Sequence, residues 1–227
     1  MYQLYYWPGL PGRGEFIRLV LEHAEVAYED IGVNQGFEPI VAMKQTAAGF
    51  APPYLVHGEF TLAQMPAICI YLGQRHGLCP TDPACSARVL QLLLTISDTV
   101  SEIHDLHHPV SIAQTYEQQK DVAQQCAKEF HQNRLQQWIA FYSKLLLGRN
   151  WLVKNQLSVA DLALFQLVSG IEYAFPRAFA KLMSPELLHH QAQTRKIETI
   201  KNYLDSSRRQ SFNEAGIFRH YPELDLE

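Results

Sequence analysis

The residues of this chain best suited to chemistry are grouped near its start. A tyrosine hydroxyl stands where a strand stops and a helix begins, with a turn of prolines and glycines between. In Leu4-Tyr5-Tyr6-Trp7-Pro8-Gly9-Leu10-Pro11-Gly12-Arg13-Gly14-Glu15-Phe16-Ile17-Arg18 the strand is read from its β-favouring aromatics and the turn from two prolines and three glycines. The helix is read from the apolar spacing Phe16, Ile17, Val20, Leu21, Ala24. The first N–H groups of such a helix, and the positive end of its dipole, favour an anion at the point the Tyr6 hydroxyl faces. A thiolate is one such anion. The alternative for Tyr6 is an aromatic strand residue packed in a core.

Other side chains raise narrower possibilities. Asp98 and Glu102 lie four apart on one helical face, and His104, His107 and His108 are spaced three and four apart. A metal could be imagined on those histidines, but no cysteine joins them, and a helix end before Pro109 favours histidine electrostatically. No metal site is expected. Cys69, Cys79, Cys85 and Cys126 show no metal-type pairing and are read as structural thiols.

Composition sets the bounds. The chain has 227 residues, 47% of them hydrophobic, enough for one large or two modest domains around a buried core. Net charge is −4, pI is about 6.2, and no basic cluster exceeds Arg208-Arg209, so nucleic acid is not an expected partner. The apolar runs are too short for a membrane span, and the N-terminus lacks the basic-then-apolar pattern of a signal peptide; the cytoplasm is the expected location.

Residues 1–78 alternate strand and helix signals: a strand at 2–7, a helix at 14–24, a short strand at 27–31, a short helix within 37–44, a hairpin around His57-Gly58-Glu59, and a helix at 65–75. This βαβ–ββα order predicts a small α/β domain with a mixed sheet. Residues 79–83, within Gly77-Leu78-Cys79-Pro80-Thr81-Asp82-Pro83, read as a linker, and residues 84–227 have helical period almost throughout. Helices are predicted at 84–107, 112–147, 158–172 and 194–206, with another near 184–192. Ser158-Val159-Ala160-Asp161 is a capping-box start flanked by Leu157 and Leu162.

Taken in order, Tyr6-Trp7, Arg13, Glu15-Phe16-Ile17-Arg18-Leu19, Pro53-Tyr54-Leu55 before a hairpin, Gln64 opening a helix, and Leu157-Ser158-Val159-Ala160-Asp161 in a helical half resemble the cytosolic glutathione S-transferases. The likeness spans nearly the whole chain and is nearest to the tyrosine-type classes such as Sigma, Mu and Pi. The tail from Phe212 to Pro222 resembles that of a bacterial branch. The resemblance implies a thioredoxin-like N-terminal domain followed by an all-helical C-terminal domain, with glutathione as co-substrate, no further cofactor, a hydrophobic electrophile between the two halves, and a homodimer.

It also implies roles. Tyr6 would donate its hydroxyl proton to the glutathione sulfur, with Tyr5 as the alternative because the loop is one residue longer than the Mu and Pi pattern. No serine or cysteine stands near that turn to replace it: the first cysteine is Cys69 and the first serine is Ser86. Trp7, Arg13, Lys44, Pro52, Pro53, Gln64 and Met65 would form the glutathione site, Lys44 reaching the glycyl carboxylate. Asp98 or Glu102 would reach the partner subunit's γ-glutamyl amine. His104, His107 and His108 would border the electrophile cleft. Two departures stand out. Pro52 precedes Pro53 and has no N–H to pair with the cysteinyl group, and Met65 replaces a serine hydroxyl. The implied activity is addition of the glutathione thiolate to a hydrophobic electrophile, as in detoxification. The alternatives are a weakly or non-catalytic ligand-binding protein of the same fold, or a glutathione-dependent isomerase.

Overall fold

The computed structural model describes residues 1–46 and 48–226. Strand β1 (Tyr2–Tyr5) is followed by helix α1 (Gly12–His23) and strand β2 (Tyr28–Asp30), parallel to β1. Two short helices, α2 (Ile31–Gln35) and α3 (Glu38–Lys44), lead to the hairpin β3 (Tyr54–His57) and β4 (Phe60–Ala63), and then to α4 (Met65–Arg75). The sheet order is β2-β1-β3-β4, with β3 antiparallel to both its neighbours. One face of the sheet is covered by α1 and α4, whose apolar sides bury Phe16, Ile17, Val20, Ile68 and Leu72.

After the segment following α4, the chain is helical. Helix α5 (Pro83–Leu106) starts at an Asp82 cap, whose carboxylate accepts from the Cys85 N–H, with Pro83 in the first turn. Then come α6 (Lys120–Glu129), a π-helical turn at Phe130–Arg134, α7 (Leu135–Leu146), α8 (Val159–Ala174), α9 (Pro176–Leu182), α10 (Pro185–Lys196) and α11 (Glu198–Leu204). Helix α8 is buried on nearly every side, as its uniformly apolar sequence requires, and it packs on α5, α10 and α1. The two halves therefore share one apolar core. Among the described residues, no helix is long and apolar enough to cross a membrane.

Several sequence expectations are corrected. The helix expected from 112 begins only after an irregular stretch and a 3-10 turn at Glu117–Gln119, where the buried Gln119 amide bonds Val110, Ser111, Gln114 and Thr115 in place of helical partners. The π-helical turn then divides it again. The helix expected at 194–206 is two helices, because Ile197 is extended (φ −59, ψ 123) between α10 and α11. Helix α9 was not foreseen, since no helix was expected between 172 and 184; proline suits its first turn, and Asp225 of the tail accepts from the Arg177 and Ala178 N–H groups.

The Ser158 start is more elaborate than a simple cap. The fully buried Asp161 carboxylate accepts from the Ser158 N–H and hydroxyl, the Leu152 N–H and His190 Nε2. Ser158→Ala removes one of these donors and is expected to destabilise the protein by about 1 kcal/mol. A thermal melt lowered by roughly 2–4 °C would read this.

Candidate functional site

Register builds the site from the backbone up. Tyr5 pairs with Tyr54 and Tyr54 pairs with Ala63. In an antiparallel ladder the next residues therefore fall in a row across the sheet end: Tyr6, Pro53, Gln64. The two-residue turn Gly58-Glu59 sets this register on one side. The Pro52–Pro53 peptide bond is cis. Gln64 lies in the left-handed region (φ 72, ψ 120), and Met65 opens α4 directly behind it. The first N–H groups of α4 thus stand at the end of the row. The Met65 side chain is fully buried in the core, so only its backbone can face a ligand.

Tyr6 is 5% exposed, and its hydroxyl oxygen accepts from the Arg13 N–H at 2.9 Å. No side chain at Pro11 caps α1, so the tyrosine supplies that cap from the neighbouring strand. With one lone pair committed to Arg13, the phenol proton remains to be donated. Burial pushes the Tyr6 phenol up, opposed by the Arg13 N–H and by the charges of Arg13 and Arg18. The group is consequently a neutral donor at pH 7. Tyr5 neighbours Tyr6 in the strand, so its side chain points to the other face of the sheet; burial and Glu29 raise its phenol as well.

Three glycines, Gly12, Gly14 and Gly32, make room for Tyr6. A Cβ at Gly12, where φ is +38°, would fall 2.1 Å from Tyr6 Oη, and one at Gly32 would fall 1.9 Å from the Tyr6 carbonyl oxygen. Gly12→Ala is therefore expected to destabilise the fold by about 1–3 kcal/mol and to displace the hydroxyl, which a lowered Tm together with an altered tyrosine spectrum would report.

Arg18 braces the turn. Its Nε donates to Asp30 at 2.6 Å, and its Nη1 donates to Glu15 at 3.0 Å and to the Leu10 carbonyl at 3.3 Å. Its guanidinium lies 5.9 Å from the centre of the Tyr6 ring. Glu15, fully buried, also accepts from the Tyr203 hydroxyl and from Arg209, so the helical half grips α1 beside the site.

The other expected site residues divide. Lys44 Nζ lies 5.8 Å from the Trp7 ring centre, beside the row. Phe37, which sequence reasoning did not single out, stands 6.2 Å from Trp7. Arg13 reaches across to Ser101 Oγ on α5 at 3.0 Å, and exposed Asp98 lies one turn before Ser101. Glu102 is occupied instead: it accepts from Arg134 at 2.7 and 3.1 Å and from Trp138 at 3.2 Å. Although burial acts against it, these donors hold its carboxyl below the usual range.

Of the three histidines, one serves the tail. His107 is 3% exposed, and its Nε2 donates to the Ile217 carbonyl at 2.8 Å, so it anchors the C-terminal segment and presents no surface to an electrophile. Burial, with Arg219, His104 and His108 acting in the same direction, lowers its pKa to about 3. His108 Nδ1 accepts from Gln119, and His104 Nδ1 lies 3.2 Å from Asp105. Among the described residues, no group of three or more His, Cys, Asp or Glu is arranged to hold a metal. The tail also reaches the tyrosine turn, where Asn213 Nδ2 donates to the Gly9 carbonyl at 2.8 Å. Neither Ser101 nor Asn213 carried a local signal, since each acts on a segment far away in sequence. A groove of about 540 Å³ lined by Glu22, Tyr28, Asn202 and Arg208 sits at the C-terminal end of α1, whereas Tyr6 sits at the N-terminal end.

The chain is similar to known proteins along most of its length. A family model described as glutathione S-transferase, C-terminal domain, matches residues 104–207. A protein of Plasmodium falciparum named glutathione S-transferase is 26% identical over 216 residues, which are 88% of this chain and 93% of that protein. Mouse glutathione S-transferase Mu 6 is 25% identical over 211 residues, 89% of this chain and 90% of its own. The solved structure of NaGST-2 superposes with a TM-score of 0.68 at 25% identity, covering 93% of this chain and 98% of that one. Prostaglandin synthase D of Nilaparvata lugens shares the fold with a TM-score of 0.76 at 18% identity, covering 91% of this chain and 98% of that one.

Proposed function

We propose that this relative of the cytosolic glutathione S-transferases is a glutathione transferase in which Tyr6 donates its proton to the glutathione sulfur and holds it as a thiolate. The observation that carries this reading is the Tyr6 hydroxyl: its oxygen is satisfied by the Arg13 N–H, and its proton is left over at the end of the row with Pro53 and Gln64. A thiol with pKa around 8.5 is only about 3% ionised at pH 7. One hydrogen bond to the charged form contributes about 1.5–3 kcal/mol, a lowering of roughly one to two pKa units. The thiolate then becomes a major species, and its attack on an apolar electrophile needs mainly positioning.

The rest of the peptide follows the row. The Pro52 carbonyl accepts from the cysteinyl N–H; Gln64 and the Met65 N–H, at the N-terminus of α4, take the γ-glutamyl carboxylate. Lys44, beside Trp7, takes the glycyl carboxylate. Two copies of the chain pair so that Asp98 of one subunit reaches the γ-glutamyl amine bound by the other. The 94% exposure of Phe50, two residues before Pro52, supports such an interface.

A second reading, a carrier of glutathione or apolar ligands with little catalysis, is favoured by the two missing donors at Pro52 and Met65. Calorimetric titration with reduced glutathione, followed by thiolate absorbance across pH on the same sample, separates the two. Saturable binding with a bound-thiol pKa below that of the free thiol supports the transferase. No binding at millimolar glutathione overturns it.

A further inference from the structure

We propose that Ser101 of α5 is a positioning residue for the Tyr6 hydroxyl, acting through Arg13; this rests on the thiolate role of Tyr6. Two cations face Tyr6, and they differ in what surrounds them. Arg18 is paired with both Glu15 and Asp30, so its charge is largely balanced where it stands. Arg13 makes no ion pair among the described residues. Its Nη2 is held by a neutral oxygen, Ser101 Oγ, at 3.0 Å, while its own N–H holds Tyr6 Oη at 2.9 Å. Arg13 is thus the unbalanced positive charge beside the donor, and its two ends are fastened to different halves of the molecule.

Ser101 is prepared for this task. Its hydroxyl proton is donated to the Ser97 carbonyl one turn earlier at 3.1 Å, which leaves its lone pairs to accept from the guanidinium. A carboxylate at this place would hold Arg13 equally well but would neutralise it. A serine holds the charge without cancelling it. Helix α5 thereby contributes to the ionisation of a thiol bound in the other half, with no contact to that thiol.

The test compares Ser101→Ala, Ser101→Thr and Ser101→Asp with the unmodified protein, reading the pKa of bound glutathione and the pH profile of kcat/KM, with thermal melts as the control for folding. Ser101→Ala is expected to raise the bound-thiol pKa, and the midpoint of the profile with it, by about half a unit. That is about a threefold loss of rate below the midpoint, vanishing above it. Thr keeps the hydroxyl and is expected to restore the original midpoint, while Asp raises it at least as far as Ala. An unmoved pKa in both Ala and Asp variants would overturn the proposal, as would a loss of rate equal at every pH. If the unmodified protein itself shows no lowered thiol pKa, the role of Tyr6 fails and this inference falls with it. A lowered pKa that is indifferent to Ser101 removes this inference alone.

Discussion

Tyr6→Phe is expected to reduce kcat/KM for glutathione addition by tenfold to a hundredfold at neutral pH, with the bound-thiol pKa rising toward that of the free thiol. On the proposed role the phenol would supply one charge-assisted hydrogen bond of about 1.5–3 kcal/mol, and each 1.36 kcal/mol is a factor of ten in rate. The structure adds a second effect. The same oxygen caps α1 through the Arg13 N–H, so the variant also loses a helix cap worth about 1 kcal/mol. A modest fall in Tm should therefore accompany the kinetic loss. Steady-state rates, bound-thiol absorbance and a melt, taken together, separate the two effects. Unchanged rate with the expected fall in Tm would leave Tyr6 as a cap and nothing more.

The largest effect on stability is expected at Glu15. Its buried carboxylate accepts from Arg18 of its own helix and from Tyr203 and Arg209 of the helical half. Removing it leaves Arg18, itself 1% exposed, with Asp30 as its remaining counter-ion and next to a second guanidinium. Breaking a buried pair by deleting one partner costs about 3–5 kcal/mol. For a chain of this size that corresponds to a Tm lower by roughly 6–20 °C. Glu15→Ala should show this in a thermal melt, and Glu15→Gln, which keeps an acceptor for Tyr203, should fall between the two. A change under 1 kcal/mol would mean that water replaces the carboxylate and that the grip on α1 lies elsewhere.

These two residues illustrate what the chain discloses before folding. The order of strands and helices was legible because each element writes its own period into contiguous residues, and the Ser158 start because a cap acts over three positions. The row of Tyr6, Pro53 and Gln64 also follows from local facts: the alternation of β1 and the shortness of the Gly58-Glu59 turn. Helix α9 escaped because proline marks a helix start as readily as a stop. The hold of Ser101 on Arg13 and of Arg209 on Glu15 joins residues far apart in sequence, and no periodicity records such a pairing. His107 was misread for the same reason, since its partner is a tail carbonyl that only the tertiary fold brings near.

The close packing of Gly12 and Gly32 around Tyr6 bears on how this protein can diverge. At either position any side chain collides with the tyrosine or its backbone. Lys44 and Gln64, by contrast, are exposed, and the Met65 side chain is buried in the core. Descent with modification can thus rewrite the grip on the two ends of a peptide thiol step by step while the place of the hydroxyl is inherited unchanged. New ligand preferences are expected to arise at the rim of this site long before its centre moves.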